Sequence, residues 1–379
     1  MIYAFGDVNL DCVWDFQETP SKRDVLFPEL GTSNYRLGGV AYNLFAAAAA
    51  VVQPACVVGK VGWDEAGHIA VQRLPRESGH LVFVDAAHPT GSMLILRFQG
   101  GAGNARHFVY NAPNANQYLT RQDIVDSGIR LTADDILFLT GYSLFRKPVA
   151  EAAQYMVSLA EEEGARIVID VVPHNLQAVG SPEYVREQIF RRHRKRFDLC
   201  IAEWHTWQYI FGLDSLDASN SSFQTFARIA EPLTDFVSVR YGFENCGREA
   251  VLHGGELLWD SATGYEEAEP EHRLAFGDQI TMALLQQLLL GRHTWTWQPD
   301  LAFTVPLSVL EFIPPAPGRK FALDVGCGYG RAFPELLRLG FRRITGIENS
   351  SSLVARARAV YPPGDSAITI IQGDACNYD

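Results

Sequence analysis

Short apolar runs alternate with longer amphipathic stretches along this chain, and the rhythm of the alternation changes twice. The first part reads as strand (Ile2 to Phe5), turn, strand (Cys12 to Phe16) and a polar loop, after which Gly38-Gly39 opens a long helix through Ala41 to Val52. Further strands are predicted at Ala55 to Val58, Leu81 to Val84, Ser92 to Phe98 and His107 to Tyr110, the last two joined by Gly-rich turn residues that predict a hairpin. From about residue 120 short apolar runs alternate with helical patterns. Ile136 to Leu139, Arg166 to Ile169, Leu199 to Ala202 and Phe236 to Val239 read as buried strands, separated by helices such as Val149 to Glu163 and Phe223 to Ala230. That order predicts a parallel sheet covered on both faces. Val251 to Leu252 and Leu257 to Trp259 flank His253-Gly254-Gly255-Glu256 and predict a second hairpin.

The second change follows a proline-rich break, Phe312-Ile313-Pro314-Pro315-Ala316-Pro317-Gly318, where helix is disfavoured and ladder donors are missing. A fresh strand (Phe321 to Val325), a glycine loop, a helix to about Leu339, a strand (Arg343 to Ile347), another helix and a strand (Ala367 to Ile371) make a new βαβαβ unit. The expected organisation is a domain at 1–310, a linker at 311–319 and an incomplete domain at 320–379.

With 47% hydrophobic and 20% charged residues, the chain reads as globular with sizeable cores. A formal net charge of -12 argues against nucleic-acid and anionic-membrane partners, whose binders are usually basic. The basic run Arg191-Arg192-His193-Arg194-Lys195-Arg196 ends a predicted helix, where cations complement the dipole. Cysteines at 12, 56, 200, 246, 327 and 376 lack zinc or disulfide spacing and suit a reducing cytoplasm. The histidines show no metal spacing, no apolar run reaches the roughly 20 residues that cross a bilayer, and the opening strand leaves no room for a signal peptide.

One segment carries the candidate chemistry. Arg273-Leu274-Ala275-Phe276-Gly277-Asp278-Gln279 precedes the apolar helical stretch Ile280 to Leu290. A helix mouth offers unpaired N–H groups and the positive end of the dipole, and Asp278 adds a carboxylate beside them. The pair suits phosphoryl transfer to a hydroxyl, in which the carboxylate takes the proton and the N–H groups hold the phosphoryl oxygens. By itself an Asp here also reads as a helix N-cap.

Four segments together resemble the ribokinase-like, or PfkB, family of sugar and nucleoside kinases over about residues 1–290: Gly6-Asp7-Val8-Asn9-Leu10-Asp11, Gly38-Gly39-Val40-Ala41-Tyr42-Asn43, Val58-Gly59-Lys60-Val61-Gly62-Trp63-Asp64-Glu65-Ala66-Gly67 and Ala275-Phe276-Gly277-Asp278. The resemblance implies an α/β/α sandwich with a small β lid, using ATP and Mg²⁺ to phosphorylate a sugar, nucleoside or related alcohol. It implies that Asp11, Gly38, Gly39 and Asn43 bind the acceptor, that Asp278 is the base, and that Ala275, Phe276 and Gly277 form the anion hole. It further implies that Arg240 and Gly242 face the nucleotide. Trp14, Phe16, Tyr35 and Tyr42 are core residues or stack on the acceptor, and apolar Ser92 to Phe98 is a candidate for lid-to-lid pairing in a homodimer. The chain departs from the family at Phe276, where a small residue is usual, and at Glu203-Trp204-His205-Thr206, where Asn-x-x-Glu is expected. Arg240 stands in place of a usual Thr, and either binds phosphate or blocks the nucleotide site. A catalytically silent ligand-binding or regulatory module is therefore the alternative to a working kinase.

Leu323-Asp324-Val325-Gly326-Cys327-Gly328-Tyr329-Gly330 is a glycine loop between a strand and a helix. Glycines there let a cofactor approach backbone, and an acid at the end of the next strand, Glu348, is placed to accept ribose hydroxyls. The loop is similar to the first motif of class I S-adenosylmethionine-dependent methyltransferases. The resemblance implies S-adenosylmethionine held by Asp324, Gly326, Gly328, Gly330, Glu348 and Asp374. The family's later strands are missing from the sequence, so the expectation is a truncated bifunctional protein, a sheet completed by another chain, or a cofactor-binding remnant.

Overall fold

The structure, a computed structural model, describes residues 1–16, 30–50, 53–74, 79–98, 105–109, 113–171, 176, 179–191, 197–241, 248–260, 278, 281–282, 284–285, 321–325, 327–328, 330, 332–338, 341–362 and 367–373. Its contacts divide it into two units, the first within residues 1–303 and the second holding the described residues from 321 onward.

In the first unit the strands are Ile2–Phe5 (β1), Asn9–Phe16 (β2), Leu30–Gly38 (β3), Ala55–Gly62 (β4), Gly79–Asp85 (β5), Met93–Phe98 (β6), Ala105–Val109 (β7), Ile136–Thr140 (β8), Arg166–Asp170 (β9), Phe197–Glu203 (β10), Thr234–Tyr241 (β11), Arg248–His253 (β12) and Glu256–Asp260 (β13). The helices are Val40–Ala50 (α1), Glu65–Arg73 (α2), Arg121–Ser127 (α3), Val149–Glu163 (α4), Pro182–Arg186 (α5), Trp204–Phe211 (α6) and Asn220–Ala230 (α7). Nine strands form one sheet in the order β13-β12-β11-β10-β9-β8-β1-β4-β5. It is parallel from β11 to β5, and β12 and β13 add an antiparallel margin.

The central strands are apolar throughout because both faces are buried. Period-two alternation sends Phe5, Val58, Leu137, Leu139, Ile169 and Cys200 to one face, where they join α4, α6 and α7 in a single core. Their alternates Ala4, Val57, Phe138, Val168 and Ile201 point the other way and are equally buried. Helix α4 shows how the sequence arranges this. Ala152, Ala153, Met156, Val157 and Ala160 are buried at helical spacing, and Gly164 ends the helix at a positive φ of 74°. Each large aliphatic or aromatic side chain buried this way contributes about 1.5–3 kcal/mol.

A separate four-stranded sheet in the order β3-β2-β6-β7 forms the lid. The polar segment before Gly38 is not all loop: Leu30–Gly38 is the antiparallel partner of β2, with Asn9 opposite Gly38 and Asp11 opposite Arg36. Gly38 therefore ends a strand, and helix α1 begins at Val40. Strand β6 bonds β2 on one side and β7 on the other, so the lid edges are β3 and β7, and Ser92 to Phe98 offers no free edge for pairing.

The lid is fastened at its root. Asn116 accepts from the Val8 N–H at 3.0 Å and donates to Asn9 Oδ1 at 2.7 Å, while the Ser92 hydroxyl donates to the Leu10 carbonyl at 2.7 Å. Asp64 belongs to the same framework. It caps α2 by accepting from the Gly67 N–H at 2.8 Å and accepts from the Thr90 N–H at 2.8 Å. Gly62 and Gly67 leave room for this crossing, since a Cβ on Gly67 would stand 2.0 Å from the Gly62 carbonyl oxygen. The segment around Lys60 is thus architectural, with the ammonium ion-paired to Asp123 at 2.9 Å.

The second unit contains the parallel strands Phe321–Val325 (β14), Arg343–Glu348 (β15) and Ile368–Gln372 (β16), in the order β14-β15-β16. Helices Phe333–Arg338 (α8) and Ser351–Val360 (α9) connect them. Phe333, Leu336, Ile344, Ile368 and Cys327 make its core. Phe321, Leu323 and Val325 point to the other side of β14 and are 65%, 64% and 58% exposed.

Candidate functional site

The parallel strands end along one line, and the polar side chains of the first unit gather there. Thr140 ends β8, Asp170 ends β9, Glu203 ends β10 and Arg240 lies one residue before the end of β11. Asp7 follows β1, and the buried helical residues Asp278 and Thr281 come to the same edge. The crevice outside the carboxyl ends of parallel strands is the usual ligand position in such sheets.

Asp278 and Asn43, far apart in sequence, come together at this edge. Burial pushes the Asp278 carboxyl up to about 8, and nearby Asp170 adds to the rise, while Arg240 and the Asn43 side chain oppose it. A carboxylate in this range is suited to take a proton near neutrality and is no ordinary helix cap.

Asp11 comes to the site from the lid. Its cross-strand neighbour is Arg36, and its diagonal neighbour on the same face is Gly38. The missing side chain is what admits the carboxylate: a Cβ on Gly38 would lie 1.8 Å from Asp11 Oδ2. Burial raises the Asp11 carboxyl to about 6 against the pull of Arg36. Oδ1 of Asp11 is buried without a hydrogen-bond partner among the described residues. Such a group lacks only a donor, and a polyol hydroxyl supplies one. Gly39, at a positive φ of 95°, turns the chain from β3 into α1 and thereby delivers Asn43. Asp7 holds this turn by accepting from the Val40 N–H at 3.0 Å.

Arg240 lies in a buried ionic network. Its Nη1 donates to Asp170 Oδ2 at 3.1 Å, its Nη2 donates to the Thr281 hydroxyl, and its Nε faces Glu249 Oε1 at 3.7 Å. Glu249 also accepts from the Ser238 hydroxyl and is fully buried. Asp7, Asp170, Glu249, Thr281 and Tyr142 escaped the sequence reading. An acid closing an apolar strand, as in Arg166–Asp170, was the available signal for one of them. Tyr142 follows β8 in a short turn and is 48% exposed; partial desolvation, with the charges of Asp7, Asp170 and Glu203, raises its phenol. Glu203 stands at the N-terminal boundary of α6 without a side-chain capping bond, and its carboxylate lies 3.1 Å from His205 Nδ1. Ala275, Phe276, Gly277 and Gly242 lie outside the described residues.

In the second unit Glu348 holds the glycine loop. Its Oε2 accepts from the Gly328 N–H at 2.8 Å and its Oε1 from the Ser350 N–H at 2.9 Å. Among the described residues nothing lies within 4 Å of where a Gly328 Cβ would stand, which suits a cofactor lying on the backbone. Gly330 has a positive φ of 86°, and a Cβ there would meet the Phe333 ring at 2.5 Å. Asp324, on β14 opposite Gly346, lies close enough to the loop for its charge, with that of Glu348, to add to the effect of burial in raising the Cys327 thiol. Gly326 and Asp374 lie outside the described residues. Among the described residues no cluster of acids, histidines and cysteines is arranged to hold a metal, and no helix is long and apolar enough to cross a membrane.

The first unit has the ribokinase-like fold, an α/β sandwich with a β lid, and a three-stranded parallel α/β unit follows it. Comparison with solved structures gives the relatives. The chain is similar to fructokinase from Vibrio cholerae in its fructose-, ADP- and calcium-bound form, with 17% identity and a TM-score of 0.57 over 82% of this chain and 97% of that one. A PfkB protein from Polaromonas is 16% identical at a TM-score of 0.57, over 76% of this chain and 89% of that one. Aminoimidazole riboside kinase from Salmonella enterica, complexed with aminoimidazole riboside and an ATP analogue, is 17% identical at 0.54, over 80% and 89%. These likenesses show the fold. Residues 322–379 match the family described as a methyltransferase domain. No curated protein sequence matches the chain.

Proposed function

We propose that the first unit transfers the terminal phosphoryl group of ATP to a hydroxyl of a sugar, nucleoside or related polyol. The observation that carries this reading is Asp278, buried at the carboxyl end of the sheet beside Asn43 and Arg240 and raised to about 8. Asp11 accepts from an acceptor hydroxyl, and Gly38 and Gly39 bring the backbone close to it. Asp278 takes the proton as the acceptor oxygen forms its bond to phosphorus and the bond to the ADP oxygen breaks. Mg²⁺ accompanies the nucleotide, and Ala275, Phe276 and Gly277 supply N–H groups to the phosphoryl oxygens. The neighbours' bound fructose with ADP, and aminoimidazole riboside with an ATP analogue, support this pairing of substrates.

The second unit, on this reading, holds S-adenosylmethionine at Gly326, Gly328 and Gly330, with Asp324, Glu348 and Asp374 around it. The cofactor supplies a methyl group when bound. Room at Gly328 among the described residues and the Glu348 clamp on the loop support the assignment. The two units then serve one bifunctional cytoplasmic protein acting on small molecules.

One observation favours a silent binding module. Arg240 stands where the related kinases usually have Thr, and its guanidinium is engaged by Asp170, Thr281 and Glu249. Transfer from γ-labelled ATP with Mg²⁺ to a panel of sugars and nucleosides, in wild type and Asp278→Asn, decides between the two. Label on one acceptor that disappears in the variant establishes the kinase. Absence of transfer by folded wild type establishes the binding module.

A further inference from the structure

Arg240 is central to the buried charge of the first unit. Its three nitrogens reach three separate elements: Asp170 on β9, Glu249 on β12 and Thr281 in the helical segment that carries Asp278. Arg240 and Glu249 are register partners across β11 and β12, so their side chains leave the sheet on the same face. Asp170 sits two strands away on the other side, across β10. The guanidinium is therefore bracketed by carboxylates from both sides, and its Nη2 donates to Thr281.

Thr281 is one helical turn beyond Asp278, and residues at this spacing share a face. Fixing the Thr281 hydroxyl fixes the rotation of the segment about its axis, and with it the direction of the Asp278 carboxylate. Sliding packing alone supplies no such restraint, because Met282, Leu284 and Leu285 make non-directional contacts. A planar guanidinium with rigidly spaced donors suits this task, whereas an ammonium on a flexible stem does not.

We propose that Arg240 is a positioning residue, which fastens the Asp278-bearing helix to the ends of β9, β11 and β12 through Thr281. The inference rests on Asp278 being the base only for its catalytic consequence. The mechanical part stands without it. Arg240 then acts through the helix rather than by gripping nucleotide phosphates.

The test uses the full chain and the variants Thr281→Val and Arg240→Lys. Thr281→Val preserves shape and every charge while removing the hydroxyl that accepts from Arg240 Nη2, and circular dichroism with thermal melting checks that the variant is folded. Amide hydrogen exchange of Met282, Leu284 and Leu285 is expected to quicken by about tenfold or more in Thr281→Val, with strands β8 to β11 unchanged. Transfer is expected to show a fall in kcat of about tenfold or more with KM for ATP nearly unchanged, since misplacing a reacting group costs rate and not nucleotide binding. Arg240→Lys should keep the fold, show the same faster exchange, and move the pH profile of kcat/KM as the cation withdraws from Asp278. Unchanged exchange at Met282, Leu284 and Leu285 in folded Thr281→Val overturns the proposal. So does a rise in KM for ATP at constant kcat in Arg240→Lys, which makes Arg240 a phosphate ligand. If wild type transfers nothing, the exchange result still decides the strut, and only the role of Asp278 fails.

Discussion

Asp11 occupies the space that a side chain at Gly38 would need. A Cβ at position 38 would lie 1.8 Å from Asp11 Oδ2 and 2.6 Å from its carboxyl carbon. The obstructing atoms are the end of a side chain, so the lid can absorb a methyl group by turning the carboxylate aside. Gly38 and Asp11 are both buried, so Gly38→Ala is expected to cost about 0.5–3 kcal/mol, the usual range for a point change, while acceptor KM rises about tenfold or more. Asp11→Asn should raise KM similarly, and the double variant should be no worse than the poorer single one, since both act on one carboxylate. Additive losses would separate the two residues.

Asp278 gives a pH signature. Its carboxyl is raised to about 8 in the fold, so kcat/KM is expected to climb with pH through an inflection near 8. Asp278→Asn should lower the rate by about 10²–10⁴ and remove the inflection.

The same shift fixes a sign for stability. A carboxyl whose folded pKa lies above its unfolded value of about 3.9 holds its proton more tightly when folded. Its contribution is complete below about pH 4 and is lost as pH rises through about 8. Asp278→Asn lacks that loss. Denaturant unfolding at pH 5 and pH 8 should show wild type weakening relative to the variant across the interval, and equal slopes would mean Asp278 is not buried as described.

Asp64 reports on the lid root. It caps α2 and bonds Thr90, and its hydrogen bonds outweigh the opposing burial and hold its carboxyl below the usual range. That stability is present above the unfolded value and disappears as pH falls through the folded one, on the acid side of about pH 4. Asp64→Ala is expected to cost about 1–2 kcal/mol at pH 7, the usual range for a lost N-cap, and to flatten the acid limb of the stability profile.

For the second unit, Glu348→Ala removes the acceptor of the Gly328 and Ser350 N–H groups and should free the glycine loop. Calorimetric titration with S-adenosylmethionine is expected to show affinity lowered about tenfold or more, with Glu348→Gln intermediate because one oxygen acceptor survives. Equal affinity in all three proteins would place the cofactor elsewhere.

The large sheet is legible in sequence because its strands are buried on both faces. Ile136–Thr140 and Phe197–Glu203 read as unbroken apolar runs, a pattern that needs no knowledge of partners. Strand β3 is hidden for the opposite reason. LGTSNYRLG carries few apolar residues, since a lid strand has one open face and is defined by pairing with β2. The site divides along the same line. Asp278, Asn43 and Asp11 stand out in local motifs, whereas the network of Arg240 with Asp170, Glu249 and Thr281 joins segments up to 70 residues apart from Arg240. Nothing in the local pattern of Arg248–His253 marks Glu249 as buried, because burial of an acid depends on the cation opposite it.

The apolar flank of β14 has a consequence for handling the protein. Phe321, Leu323 and Val325 present alternate side chains to solvent on a strand with one hydrogen-bonded neighbour among the described residues. That makes an adhesive margin, able to recruit a strand by its backbone and a surface by its side chains at the same time. Concentration should therefore drive self-association through this margin, seen as light scattering that grows with protein and falls when Leu323 is replaced by lysine.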